Sequence, residues 1–184
     1  VDKMELLEII KGEQTSEETL SRALDLARQI GKTPIVANDS RGFFTSRVFG
    51  TFVNEGIAML LEGTPAPTIE AASTQAGYPA PVLQLSDELN LELVQRIRNA
   101  YRAGAEAQGE TYPGHPADAV VDTMVDEIGR AGRLRGAGFY EYDEAGKRIG
   151  IWKGLIDHFP VVSDPSTISL DDLKERMLFV EALE

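Results

Sequence analysis

Few residues in this chain have the type and setting to do chemistry. Glu8 lies in the apolar run from Met4 to Ile10, and the two-residue period of a strand puts it on one face with Leu6 and Ile10. A carboxylate so placed either reaches a hydrogen-bonding partner or points to solvent from an edge strand, because burying it unpaired costs roughly several kcal/mol. Ser46, in Gly42-Phe43-Phe44-Thr45-Ser46-Arg47, is a polar residue on the first turns of a very apolar helix. It can bond back to that helix, and no base that would make it a nucleophile lies near it in sequence. Arg130, Arg133 and Arg135, with Gly132, Gly136 and Gly138, form the one basic, glycine-rich loop of an acidic chain. Such a loop either meets a phosphate or is a solvated connector. It lacks phosphate-loop spacing, and no GxGxxG fingerprint occurs in the sequence. His115 sits beside prolines in a loop and His158 before Phe159-Pro160, and neither is clustered in sequence with acids or bases, which favours structural roles.

The elements that must position these groups are legible from periodicity. Met4 to Ile10 reads as a strand closed by Lys11-Gly12, and Thr15 with Glu18 makes a capping box for a helix whose Leu20, Ala23, Leu24, Ala27 and Ile30 run to Gly31. Thr33 to Ala37 is a second short strand, ending in the turn-forming Asn38-Asp39-Ser40. Phe43 to Leu61 is apolar around much of its circumference, so the spacing predicts a central, buried helix. A short helix near Thr68 to Ala76 precedes the break at Gly77-Tyr78-Pro79-Ala80-Pro81. Asn90 caps a helix to about Gln108, with Leu91, Val94, Ile97 and Tyr101 inward and Glu92, Gln95, Arg96 and Arg98 outward. Pro116 opens a further helix with Val121, Val125 and Ile128 inward. Gly138 to Tyr142 and Lys147 to Ile149 form a hairpin, Ile151 to Phe159 forms a turn or two of helix, and Leu170, Leu173, Met177, Val180 and Leu183 mark a last helix.

Composition bounds the function. The 184 residues, 42% of them hydrophobic, can bury a real core, while a net charge of −12 repels a phosphate backbone and argues against a nucleic-acid partner. No apolar run approaches the roughly 20 residues of a membrane span. The absence of cysteine excludes disulfides and thiolate metal sites, and two histidines exclude a metal site of several imidazoles, so no metal is expected. The chain opens at Val1 without Met and closes at Glu184 inside a predicted helix, so both ends are expected to be cut from a longer protein.

Four segments, in order, resemble the 3-hydroxyacyl-CoA dehydrogenases. Val1-Asp2-Lys3-Met4-Glu5-Leu6-Leu7-Glu8-Ile9-Ile10-Lys11-Gly12 is similar to the stretch after that family's catalytic histidine, and Asn38 through Val48 to the approach to its helical domain. Ala76-Gly77-Tyr78-Pro79 and Gly136-Ala137-Gly138-Phe139-Tyr140-Glu141-Tyr142 match two further landmarks. The wording most resembles the multifunctional bacterial fatty-acid oxidation subunits, in which a second helical repeat follows the first.

The resemblance implies a mainly α fold: a helical dehydrogenase C-terminal domain preceded by a strand-helix-strand remnant of a Rossmann domain. Its implied boundaries are residues 1–39 for the remnant, 40–150 for the first helical domain, and 151–184 for a linker and the truncated start of a second repeat. It further implies an NAD-dependent oxidation of (S)-3-hydroxyacyl-CoA to 3-oxoacyl-CoA in fatty-acid β-oxidation by the full-length protein. Glu8 falls on the glutamate that holds the catalytic histidine's far nitrogen, and Ser46 on the substrate-contacting position, where relatives usually carry Asn. Arg133 and Arg135 fall loosely on a loop that approaches the cofactor. Arg41 replaces the Pro usual before Gly42, which makes that turn less rigid. The expected partners are an acyl-CoA substrate, a second copy bound through the helical domain, and a thiolase subunit; the expected compartment is the cytoplasm. With neither glycine fingerprint nor base, this chain alone is expected to hold no NAD and to be inactive. The competing reading is a non-enzymatic helical module for docking or dimer formation.

Overall fold

A computed structural model describes residues 3–183, so Val1 and Asp2 of the first family-like segment, and Glu184, lie outside the described residues. The chain divides into two compact units, one reaching Gly50 and the other running from Thr51 to Leu183. The fold is mainly α, with a short strand-helix-strand segment ahead of the helices, as the resemblance implied.

In the first unit, strand β1 (Leu6–Lys11) pairs in parallel with β2 (Thr33–Asn38), in a register that sets Glu8 opposite Ile35. Helix α1 (Glu17–Gln29) connects them. Its cap is Ser16, whose hydroxyl accepts the Thr19 N–H at 3.1 Å, and not the expected Thr15. Thr15 is engaged one step earlier, accepting the Gly12 N–H at 3.1 Å, so the serine next to it closes the helix. Gly31, at φ 71°, ends α1 in the left-handed conformation glycine tolerates.

Helix α2 (Thr45–Leu61) begins two residues later than the apolar run suggested. Gly42 and Phe43 have φ of 82° and 50°, so they form a turn ahead of the helix, and Phe43 and Phe44 are exposed. The fully buried part of α2 starts at Phe52 and includes Val53, Ile57, Ala58, Met59 and Leu60. The apolar window therefore spanned two structures, a turn with exposed rings and a core helix, and only the second part matches the expected buried helix.

The second unit packs α2 with α3 (Ala66–Gln75), α4 (Val82–Leu89), α5 (Leu91–Ala107), α6 (Pro116–Asp122) and α8 (Leu170–Leu183), with the short α7 (Leu155–His158) between hairpin and last helix. Ile57, Ile69, Leu83, Leu91, Met124, Phe139 and Met177 meet in its core. Helix α4 was not expected, because the proline-rich break hid its start. Gly56 lets α2 approach it, since a Cβ there would lie 2.5 Å from Val82 Cγ2.

Two expected faces hold only in part, with Leu91 and Val121 buried as the spacing placed them. On α5, Ile97 and Tyr101 are exposed, whereas Gln95 and Arg98 face α6: Gln95 donates to Asp122 at 2.9 Å, and Arg98, only 9% exposed, pairs with Asp118 and Asp122. Periodicity assigns charged residues to water, but here the facing helix supplies their counter-charges. After α6 the chain enters a π-helical turn, Thr123–Glu127, in which Met124 is the fully buried residue in place of Val125.

Strands β3 (Tyr140–Tyr142) and β4 (Arg148–Ile151) form the expected antiparallel hairpin. It hangs on buried carboxylates. Asp87 of α4 accepts the Phe139 N–H at 2.8 Å through one oxygen, and the Tyr140 N–H at 2.9 Å and Tyr142 O–H at 3.0 Å through the other. Glu70 of α3 accepts the N–H groups of Leu83 and Gln84, at 3.1 and 3.0 Å, and the Tyr140 O–H at 2.6 Å. Burial pushes Asp87 up to about 6, against the lowering pull of its hydrogen bonds and of Arg130, which leaves it ionised at neutral pH. Gly138 is required there because a Cβ would lie 2.0 Å from Asp87 Oδ1. Asp87→Asn replaces an acceptor oxygen by an NH2 that faces at least the Phe139 N–H, so it should destabilise the protein by about 1–3 kcal/mol, read by urea denaturation. An unchanged midpoint would mean that Asp87 does not anchor the hairpin.

Candidate functional site

The first unit gathers a defined polar constellation around Glu8. The parallel pairing of β1 and β2 and the turn through Gly42 and Phe43 bring the first residues of α2 to the strand, 36 and 37 positions along the chain from Glu8. Oε1 of Glu8 accepts the N–H groups of Phe44 and Thr45, both at 2.9 Å, and Oε2 accepts the Thr45 O–H at 2.7 Å. The first N–H groups of a helix have no partner within it, so a remote carboxylate here acts as the cap of α2 and meets the positive end of the helix dipole. The Thr45 hydroxyl above all, then its N–H, holds the Glu8 carboxyl below the usual carboxylate range. Of the two alternatives left by periodicity, the first describes Glu8: it is half-buried and reaches hydrogen-bond donors on Phe44 and Thr45.

A carboxylate offers about four acceptor positions, and among the described residues three are taken here. The remaining one is on Oε2. That is the geometry of a group that can accept one more N–H, such as that of an imidazole, while staying fixed in place.

Ser46 is the second residue of α2, directly after Thr45, and it is exposed. Its hydroxyl makes no hydrogen bond to another described residue, so it does not bond back to its own helix, and it is not the buried position expected from the apolar run. An open pocket of about 410 Å³ lies alongside, lined by residues 35–38 of β2 with Ser40, Phe43, Phe44, Arg47 and Val48.

Arg133 and Arg135 belong to the second unit, in a single 3-10 turn, Arg133–Arg135, just before the hairpin. Arg133 donates to the Gly146 carbonyl at 3.2 Å and lies 3.8 Å from Glu88, and Arg135 pairs with Glu92 at 3.1 Å. Both are more than half exposed, where such pairs contribute about 0–1 kcal/mol. Arg130 is different: it donates to the carbonyls of Gly138 and Tyr140 at 2.8 and 2.9 Å and stacks 4.2 Å from the Trp152 ring centre. It is a clamp on β3. His115 caps α6, accepting the Ala117 N–H at 3.2 Å, and contacts Glu55, which matches a structural role.

Sequence reasoning missed Thr45, Glu70 and Asp87. The tyrosines of Tyr140-Glu141-Tyr142 were the available signal, since buried phenol groups need acceptors and none was assigned to them. Among the described residues no cluster of three or more His, Asp or Glu could hold a metal, and no helix is long and apolar enough to cross a membrane.

Residues 42–142 match the family model for the C-terminal domain of 3-hydroxyacyl-CoA dehydrogenase, and residues 1–40 match the model for its NAD binding domain. Among solved structures, the (S)-3-hydroxybutyryl-CoA dehydrogenase of Ralstonia eutropha is 28% identical with a TM-score of 0.65, over 78% of this chain and 50% of that one. The 3-hydroxybutyryl-CoA dehydrogenase of Escherichia coli is 26% identical with a TM-score of 0.63, over 76% and 29%. The dehydrogenase part of multifunctional enzyme 1 from Caenorhabditis elegans shares the fold, with 20% identity and a TM-score of 0.61 over 97% of this chain and 39% of that one. The chain thus spans half the length or less of these relatives. With more than half of its residues under one family model, and the Glu8 constellation and the Asp87-anchored hairpin built from the segments that carry the likeness, the chain belongs to the 3-hydroxyacyl-CoA dehydrogenase family.

Proposed function

We propose that this chain is the substrate-side region of an NAD-dependent dehydrogenase that oxidises (S)-3-hydroxyacyl-CoA to 3-oxoacyl-CoA in fatty-acid β-oxidation, and that Glu8 orients the catalytic base. The observation that carries the reading is the fixed, ionised Glu8 carboxylate with one acceptor position left on Oε2. A carboxylate on the far nitrogen of an imidazole selects the tautomer whose other nitrogen can take the substrate's hydroxyl proton, and it stabilises the imidazolium that results. Ser46, exposed one residue beyond the Glu8-bound turn, is proposed to donate one hydrogen bond to the acyl-CoA.

NAD is the hydride acceptor proposed for the whole protein. The residues present do not make a complete dinucleotide site, since no GxGxxG occurs among them. Arg133 and Arg135 remain candidates for a cofactor phosphate, because their exposed ion pairs are weak enough to exchange.

The proposed domains are 1–39, 40–150 and 151–184, the last beginning a second helical repeat in a multifunctional enzyme. Leu178, Phe179 and Leu183 on α8 stay exposed while Leu173 and Met177 are buried, as expected of a helix that a further repeat would cover. The exposed stripe Leu93, Ile97 and Tyr101 on α5 supports a homodimer. The thiolase partner and the cytoplasmic setting rest on the family likeness alone.

In the full-length enzyme, Glu8→Gln should keep the side chain's shape, lower kcat by orders of magnitude and leave NAD affinity nearly unchanged. Near-normal turnover would return Glu8 to the role of a helix cap only. Ser46→Ala should lower kcat/KM roughly threefold to tenfold, the loss of one hydrogen bond of about 0.5–1.5 kcal/mol. Ser46→Asn should be tolerated, and thermal denaturation should show neither variant less stable, because the site is exposed. Kinetic silence of Ser46→Ala would remove Ser46 from the site.

A further inference from the structure

We infer that Thr45 is a positioning residue, which fixes the Glu8 carboxylate on the helical turn that carries Ser46, so that the base-orienting group and the substrate contact are set by one piece of backbone. The inference rests on the roles proposed above for Glu8 and Ser46.

Thr45 touches both oxygens of Glu8. Its N–H reaches Oε1 at 2.9 Å and its hydroxyl reaches Oε2 at 2.7 Å, so the side chain cannot rotate about its last bond without losing one of them. The Phe44 N–H fills the second position on Oε1, and the position left open lies on the oxygen that the Thr45 hydroxyl binds. The hydroxyl therefore decides the direction in which an imidazole N–H is accepted. Two residues that alternate in the chain as Thr45 and Ser46 then face two tasks: the first grips the strand, and the second is presented from the same first turn of α2.

The backbone leading into that turn supports a fixed geometry. Phe43 holds a left-handed φ of 50°, uncommon for a residue with a bulky side chain, and its N–H bonds the Ser40 carbonyl at 3.0 Å. Such conformations persist where the surroundings over-determine them, and the three bonds to Glu8 follow immediately. Among the described residues, the groups that lower the Glu8 pKa are Thr45 and Phe44, against the raising effect of burial and with no charged side chain among them. Removing the hydroxyl thus leaves the carboxylate without its strongest single influence.

The test uses Thr45→Val, Thr45→Ser and Glu8→Gln in the full-length dehydrogenase. Thr45→Val, which keeps the shape and removes the hydroxyl, should lower kcat roughly threefold to tenfold with KM for the acyl-CoA little changed. It should also move the acid limb of the kcat profile to higher pH, since a carboxylate freed from the hydroxyl stabilises the imidazolium more. Thr45→Ser should restore most of both. Carbon-13 titration of the Glu8 carboxyl should show its pKa rising toward the ordinary value of 4.5 in Thr45→Val, a readout that does not depend on turnover. If Glu8→Gln abolishes turnover while Thr45→Val leaves kcat, the acid limb and the Glu8 titration as in the wild type, the inference is overturned and the role of Glu8 stands. If Glu8→Gln is itself active, both fall.

Discussion

The structure depends on one recurring interaction: a side-chain carboxylate that accepts two consecutive backbone N–H groups from an element distant in sequence. Glu8 takes those of Phe44 and Thr45, Glu70 those of Leu83 and Gln84, and Asp87 those of Phe139 and Tyr140. The first two pairs open helices, where unpartnered donors and the helix dipole favour a negative charge, and the third opens a strand. In each case a hydroxyl, from Thr45, Tyr140 or Tyr142, completes the set. Buried or half-buried carboxylates of this kind would be costly alone, and their donors would be costly without them, so each site is stable only when both segments are in place.

This interaction links fold to function differently in the two units. In the second it is architectural, since Glu70 and Asp87 tie α3, α4 and the hairpin into one framework and no reacting group is among them. In the first the same device leaves an acceptor position on Oε2, the one that the proposed base-orienting role of Glu8 would use. The difference is exposure: burial pushes Asp87 up to about 6, whereas the half-buried Glu8 is held low by its donors and stays a firm anion.

Local periodicity made much of the fold legible. The β1-α1-β2 segment, the helix after Asn90, the hairpin and the last helix all appear where apolar spacing placed them, with α1 capped one residue later than expected. What periodicity lacks is the neighbour. Gln95 and Arg98 read as solvent-facing because nothing in α5 reveals that Asp118 and Asp122 will face them, and α4 was hidden by Gly77 to Pro81. The same limit applied to the site: Glu8 stood out as a charge among apolar residues, but its partners lie more than thirty positions away, and only the family-like segments hinted at a role. Thr45 gave no signal, since a threonine at a helix start is ordinary until a carboxylate is found across from it.

Whether Glu8 as an anion pins the start of α2 is tested most directly by amide hydrogen exchange at Phe44 and Thr45 as a function of pH. A lowered carboxylate in the folded state contributes its stabilisation above the ordinary value of 4.5 and loses it as pH falls through the lowered one. The expected result is therefore clear protection of both amides at neutral pH, lost in acid below 4.5 as Glu8 takes up its proton. Exchange of both amides at neutral pH as fast as in an uncapped first helical turn would contradict it.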